Sequence, residues 1–334
     1  MKTKKVYWVA FMVVAGLTLA ITAYFVLRPE ASAPKKLTIA VTRAPDSALV
    51  YIAHNRGYFR EEGLEVTLQP FEFGKVALDT MLEGKADLAT VAETPIMLAV
   101  MRGKPLEIIS GIFSSDRNMG IVARRDKGIS APGDLAGKRI GTALGTNGDY
   151  FRYAFLATHG VRITTDEMVA LPPKEMVDAL EAGRVDAVSA WNPWLFLSKK
   201  KLGSAGITFY GESIYTYTFN VTASKQLVTN DRDAVEAFLR ALKKAERFAL
   251  ENPAQSLEIV ANATGLDREM LKELWDHFTL RLSLEQTLLI SMENQARWAI
   301  GEQIVGRREI PNFMEFIYFD GLKVVSPGAV SIIH

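Results

Sequence analysis

The chain alternates short apolar runs with polar loops and with stretches whose apolar residues recur every three or four positions. Leu37–Val41 reads as a buried strand, followed by the polar loop Arg43–Ser47. Val50, Ile52, Ala53 and Phe59 can share one face, which predicts a helix from about Ser47 to Arg60. Leu64–Leu68 is a second strand, Phe71–Gly74 a loop, and the helix after it ends at Gly84. Ala86–Val91 is a third strand. Strand–helix–strand–helix–strand with connections of this length requires parallel pairing.

The series recurs about a hundred residues later. Arg139–Ala143 is a strand, Gly145–Gly148 a loop and Asp149–His159 a helix. Met168–Leu171 is a strand, Pro172-Pro173 opens a helix that Gly183 closes, and Val185–Ala190 is the third strand. At an offset of 99, Asp79 matches Asp178, Gly84 matches Gly183, Lys85 matches Arg184 and Asp87 matches Asp186. Glycine suits each helix end because the residue there commonly takes positive φ. The order of elements predicts a paired architecture of two lobes.

From Asp231 onward the pattern is helical. Val235, Phe238, Leu239, Leu242, Ala245, Phe248 and Ala249 mark a helix over Ala234–Leu250, stopped by Asn252-Pro253. Further helices are expected over Pro253–Ala263, Asp267–Phe278 and Leu284–Gly301. The tail Phe313–Ile333 is expected to strap back onto a lobe without structure of its own.

The N-terminus follows a different rule. Val6–Leu27 is a run of 22 uncharged residues preceded by Lys2, Lys4 and Lys5. At helical rise it spans about 33 Å, enough to cross a bilayer. The lysines keep the start cytoplasmic, so the remainder is exported, either held by an uncleaved anchor or released by cleavage near Ala31-Ser32-Ala33. A lipid anchor on cysteine is excluded because the chain has none.

Composition narrows the chemistry. With Lys+Arg 39 against Asp+Glu 38 there is no charge excess for nucleic acid. Zero cysteines remove disulfides, thiol nucleophiles and iron–sulfur clusters. The four histidines are far apart, so neither a metal nor a cofactor is expected.

Ligands of open parallel sheets bind beyond the carboxyl ends of the strands. That rule selects Arg43–Ser47, Phe71–Gly74, Ala92–Pro95, Leu144–Asp149, Pro172–Lys174 and Trp191–Trp194. Thr94-Pro95 and Asn192-Pro193 each read as an N-cap before a proline at the first helical position. Glu93 and Trp191 stand just before those caps, where side chains can reach an interlobe cleft. Glu93 fits either a salt-bridged loop acid or a pocket contact, and Trp191 either half-buried packing or a flat ligand-covering surface. Gly145-Thr146-Asn147-Gly148 opens a helix, so its N–H groups could hold an anion, or Thr146 or Asn147 could simply cap. Asp46, Glu93 and Asp149 favour instead an amine or hydrogen-bonding heterocycle, with Trp191 or Tyr215 to stack on it.

Three phrases carry a resemblance: Gly57-Tyr-Phe-Arg-Glu-Glu-Gly-Leu-Glu-Val66, Asp134-Leu-Ala-Gly-Lys-Arg-Ile-Gly141, and Ala179-Leu-Glu-Ala-Gly-Arg-Val-Asp-Ala187 leading to Trp191-Asn-Pro193. Together they resemble the substrate-binding proteins of ABC transporters for nitrate, sulfonates, taurine and thiamine-pyrimidine precursors. The resemblance implies an α/β, two-lobed periplasmic-binding-protein fold of type II, each lobe a mainly parallel sheet flanked by helices. It implies residues 36–123 with 223–334 as one lobe and 124–222 as the other, crossing near Ile121–Arg125 and Thr218–Ala223. Ligand contacts carry over to Asp46, Ser47, Glu93, Thr146, Asn147, Trp191 and Asn192, beside the candidates Thr94 and Gly145. The implied function is extracytoplasmic and non-enzymatic: a monomer that closes on a small molecule and delivers it to a membrane permease and ATPase. A membrane helix at 6–27 leaves room for a tethered sensor. Thiamine-pyrimidine synthases share the fold but depend on a cysteine-rich iron site, which this chain lacks.

Overall fold

The computed structural model describes residues 33–162, 167–211 and 214–333. The expected apolar helix Val6–Leu27 lies outside them. Among the described residues no helix is long and apolar enough to cross a membrane.

Two five-stranded sheets organise the described residues from Lys35 onward. The first contains β1 (Lys35–Thr42), β2 (Leu64–Phe71), β3 (Leu88–Ala92), β4 (Glu107–Ser115) and β10 (Tyr217–Ala223), in the order β2-β1-β3-β10-β4. The second contains β5 (Met119–Arg124), β6 (Ile140–Thr142), β7 (Met168–Ala170), β8 (Ala187–Trp191) and β9 (Gly206–Tyr210), in the order β7-β6-β8-β5-β9. The orders are equivalent, and β3 and β8 stand 99 residues apart, as the internal repeat predicts. In each sheet the first three strands pair in parallel, and the fourth, β10 or β5, runs antiparallel to both neighbours.

That fourth strand alters the expected crossings. Ile121–Arg124 and Thr218–Ala223 are not connections; they lie within β5 and β10, with partners on both sides. The chain passes between the sheets just before them, between β4 and β5 and between β9 and β10. Each crossing strand thus enters the interior of the sheet it joins.

The matched aspartates have matched work. Asp87 Oδ2 accepts from the Thr38 N–H at 2.7 Å, and Asp186 Oδ2 from the Arg139 N–H at 3.0 Å. Each carboxylate ties the start of a third strand to the start of the first. Gly84 and Gly183, ahead of them, have φ of +74° and +70°, a backbone that side-chained residues resist.

Helices cover the faces. The helix expected over Ser47–Arg60 is divided into a turn at Pro45–Ser47, a helix at Ala48–Asn55 and a short one at Tyr58–Glu61, with left-handed Gly57 between. Arg232–Glu251 is strongly two-faced: its buried side includes Val235, Phe238, Leu239 and Leu242, and it packs on Ala48–Asn55. Phe238 stacks on Phe59 with ring centroids 5.4 Å apart. Pro253–Thr264, Arg268–Trp275 and Gln286–Gly301 follow as predicted to within a few residues. The tail is more structured than expected. It forms a helix, Phe319–Val325, against Arg232–Glu251, and bridges Ile317 to Ile108 of β4.

Candidate functional site

The carboxyl ends of β3 and β8 lie in different sheets and meet at one small pocket, with about 20 Å³ of free volume, room for about one water. Its aromatic walls are Phe73, Tyr217 and Phe219 from the first sheet's side and Trp191 from the second. Thr42, Asp46, Thr146 and Asn147 supply polar atoms. Among the described lining residues Lys75 is the one cation, and it is paired with Asp79 at 2.8 Å.

Asp46 sits in the turn that follows β1, and all but 1% of it is buried. Tyr217 donates its hydroxyl to Oδ2 at 2.5 Å, whereas Oδ1 has no partner among the described residues. Burial pushes the carboxyl up to about 7, against the opposing pull of the Tyr217 bond. The same burial raises the Tyr217 hydroxyl, helped by the charge of Asp46.

Glu93 lies beside this pocket and joins the two lobes. Its Oε1 accepts from Asn147 Nδ2 at 2.9 Å, from Gln295 Nε2 at 3.0 Å and from the Tyr215 hydroxyl. Its Oε2 accepts from the Thr218 hydroxyl at 2.9 Å and the Thr218 N–H at 3.2 Å. Asn147 also donates to the Tyr215 hydroxyl. Burial again dominates and raises the Glu93 carboxyl to about 7, although hydrogen bonds from Thr218 and Gln295 oppose it. An aromatic seam continues the contact: Tyr150 meets Trp298 at 5.4 Å and Tyr215 at 5.5 Å between centroids. Asn147 and Tyr150 lie on the Asn147–Thr158 helix of the second lobe, and Gln295 and Trp298 on Gln286–Gly301, which packs on Glu93–Met101 of the first.

Comparison with known proteins fits this geometry. Residues 44–256 match the family described as NMT1/THI5 like. The chain belongs to that family. Among relatives of this NMT1/THI5-like chain, the taurine-binding periplasmic protein of Escherichia coli is 23% identical over 236 residues, covering 70% of this chain and 72% of that one. A candidate aliphatic-sulfonates-binding protein of Bacillus subtilis is 26% identical over 245 residues, covering 72% and 73%. The alkanesulfonate-binding protein SsuA of Xanthomonas axonopodis pv. citri superposes with a TM-score of 0.74 at 19% identity, covering 86% of this chain and 99% of that one. The NMT1/THI5-like chain therefore has the periplasmic-binding-protein fold.

Of the nine residues singled out from the sequence, Asp46, Thr146, Asn147 and Trp191 line the pocket, and Glu93 is bonded to Asn147 beside it. The others have other work. Ser47 is buried against Thr90, with 2.9 Å between hydroxyl oxygens. Asn192 is not an N-cap at Pro193, because the helix begins at Trp194; its Oδ1 accepts from the Phe196 N–H at 3.2 Å and its Nδ2 donates to Asn118 Oδ1 at 3.3 Å. Thr94 is not a cap either. Its helix starts at Glu93, which leaves Thr94 inside the first turn with its hydroxyl buried.

The Gly145 N–H, expected to help hold an anion, is taken by the chain's own Asp149 Oδ2 at 3.1 Å. Neither Thr146 nor Asn147 caps its helix, since Thr146 donates to the Ala143 carbonyl and Asn147 turns to Glu93.

Tyr217, Phe219, Thr218 and Gln295 escaped the sequence reading. The first three belong to a strand inserted from the other lobe. Gln295 does carry a signal: it falls on the stripe of Leu288, Met292, Ala296 and Ala299 as a fully buried polar residue on an apolar face.

Proposed function

We propose that this protein is the extracytoplasmic solute-binding component of an ABC-type importer, acting by binding rather than turnover. A small organic molecule would sit between the lobes, at Asp46, Thr146, Asn147 and Trp191, and be handed to a membrane permease and its ATPase. The observation that carries the reading is the pocket at the carboxyl ends of β3 and β8, whose lobes touch directly through Glu93 and Asn147. A ligand that contacts both sides favours the closed arrangement by its differential affinity for it. The names of the taurine- and sulfonate-binding relatives support the same use, as does the apolar run behind three lysines, which would export the body with or without cleavage.

The test is a thermal-shift screen of the full chain against sulfonates, nitrate, amines and amino-heterocycles, followed by solution scattering on any hit. A ligand at 100 times its dissociation constant should stabilise by about 2.7 kcal/mol and make the particle more compact. A library in which nothing binds would refute the assignment. Deletion of the gene should abolish uptake of the ligand; uptake that continues while a signalling response is lost would assign the protein to a sensor.

A further inference from the structure

We propose a second ligand site, for a small molecule bearing a single carboxylate on an apolar body, in the cavity that Arg152 and Arg162 line. This cavity shares no described lining residue with the pocket at the strand ends, so the inference does not rest on what that pocket binds. Its free volume is about 590 Å³, inside the range of about 300–1,000 Å³ usual for small-molecule sites.

The end of one helix builds it. After Asn147–Thr158 the chain turns through Gly160, at φ +67°, and the Val161 N–H reaches back to the Leu156 carbonyl at 2.8 Å. That turn carries Val161 and Arg162 back beside the helix, where Leu156, Val161 and Tyr153 give the cavity an apolar wall. Glu302 borders it from the first lobe, directly after Gln286–Gly301. Tyr153 meets Trp298 of that helix at 6.2 Å between ring centroids, so the cavity lies where the two lobes touch.

The charges decide what fits. Arg152 is only 6% exposed; its Nη2 donates to Asp149 Oδ1 at 3.0 Å, but its Nε has no partner among the described residues. Arg162 is exposed and makes no ion pair among the described residues. Two guanidinium groups, one buried with an unspent N–H, thus stand at one cavity. A guanidinium is matched best by a carboxylate, which accepts two parallel N–H bonds. Glu302 is the one acid among the described lining residues, and it opposes a second negative charge. A monocarboxylate therefore suits the site better than a dicarboxylate or a phosphate. The buried faces of Leu156 and Val161 take the apolar body.

Calorimetry on the full chain tests this with benzoate against benzyl alcohol and hexanoate against hexanol. The carboxylate of at least one pair should bind about ten times or more tightly than its alcohol, and Arg162→Ala should erase that preference. Arg162 is exposed, so the variant should melt with the wild type. Binding of neither carboxylate, or equal binding of acid and alcohol, would overturn the site. So would a carboxylate preference that survives in Arg162→Ala, because the ligand would then sit elsewhere. Tighter binding of succinate or inorganic phosphate than of benzoate would overturn the monocarboxylate class. A solute held at the strand ends should bind Arg162→Ala as it binds the wild type, so the two readings stand or fall separately.

Discussion

Asn147 Nδ2 lies 2.9 Å from Glu93 Oε1, a bond between the first turns of two helices that belong to different sheets. Both helices follow a strand's carboxyl end, so one hydrogen bond records how closely the two lobes approach above the pocket. Because Glu93 also gathers Tyr215, Thr218 and Gln295, it ties the second crossing and the C-terminal helix to the same point.

Removing that acceptor should therefore destabilise the whole body. Glu93→Ala leaves five donors on four residues without their acceptor and should cost about 2–4 kcal/mol in urea unfolding. Glu93→Gln, which keeps the volume and one carbonyl oxygen, should cost less. A loss below about 0.5 kcal/mol in the alanine variant would show that the lobes close without this contact.

Stability should fall as pH rises toward and through 7. Burial holds Asp46 and Glu93 near 7 in the folded protein, above their ordinary values of 3.8 and 4.5. Between those limits the native state carries protons that the unfolded chain has lost, so unfolding becomes easier with each step upward. The contribution is complete below about pH 4 and gone above the folded values, where the curve flattens. Carboxylates held low by cations, such as Asp186 by Arg139, act in the opposite sense and only at lower pH. Asp46→Asn should flatten the curve between pH 4 and 7; melting temperatures across that range in wild type and variant check it.

Trp191 should register in both binding and folding. It is 7% exposed, lines the pocket and backs onto Gly148. Trp191→Ala should lose about 3 kcal/mol of stability or more and weaken ligand binding by about 2 kcal/mol or more. Unchanged affinity with a large drop in melting temperature would reduce Trp191 to packing.

Gly148 tests how tightly the Asn147–Thr158 helix sits on β8. A β-carbon there would lie 3.0 Å from the Ser189 carbonyl oxygen and 3.3 Å from the Trp191 ring. Since Gly148 sits in a helix, backbone freedom is not the issue; space is. Gly148→Ala should cost about 1–3 kcal/mol and displace the indole, read as a change in tryptophan fluorescence. A neutral substitution would mean that the helix moves freely on the sheet.

Local pattern determined much of this protein. Strands β1, β2, β3, β6, β7 and β8 and the long helices are legible because each buries one face or a continuous apolar run, a property of neighbouring residues. The repeat at offset 99 announces two equivalent lobes, since Gly84 with Asp87 and Gly183 with Asp186 perform the same local task twice. The loops beyond the strand ends follow from strand direction, which is how Asp46, Thr146, Asn147 and Trp191 could be chosen. Tertiary structure alone decided what those loops do. β5 and β10 read as connections because their hydrogen-bond partners lie in the lobe the chain has just entered, remote in sequence. Glu93 is a latch because Gln295, 202 positions away, arrives beside it, and Asp46 keeps one oxygen without a partner among the described residues because Tyr217, 171 positions away, takes only the other. A side chain's donors and acceptors are written in the sequence, but which of them remain unspent is fixed only when distant segments fold together.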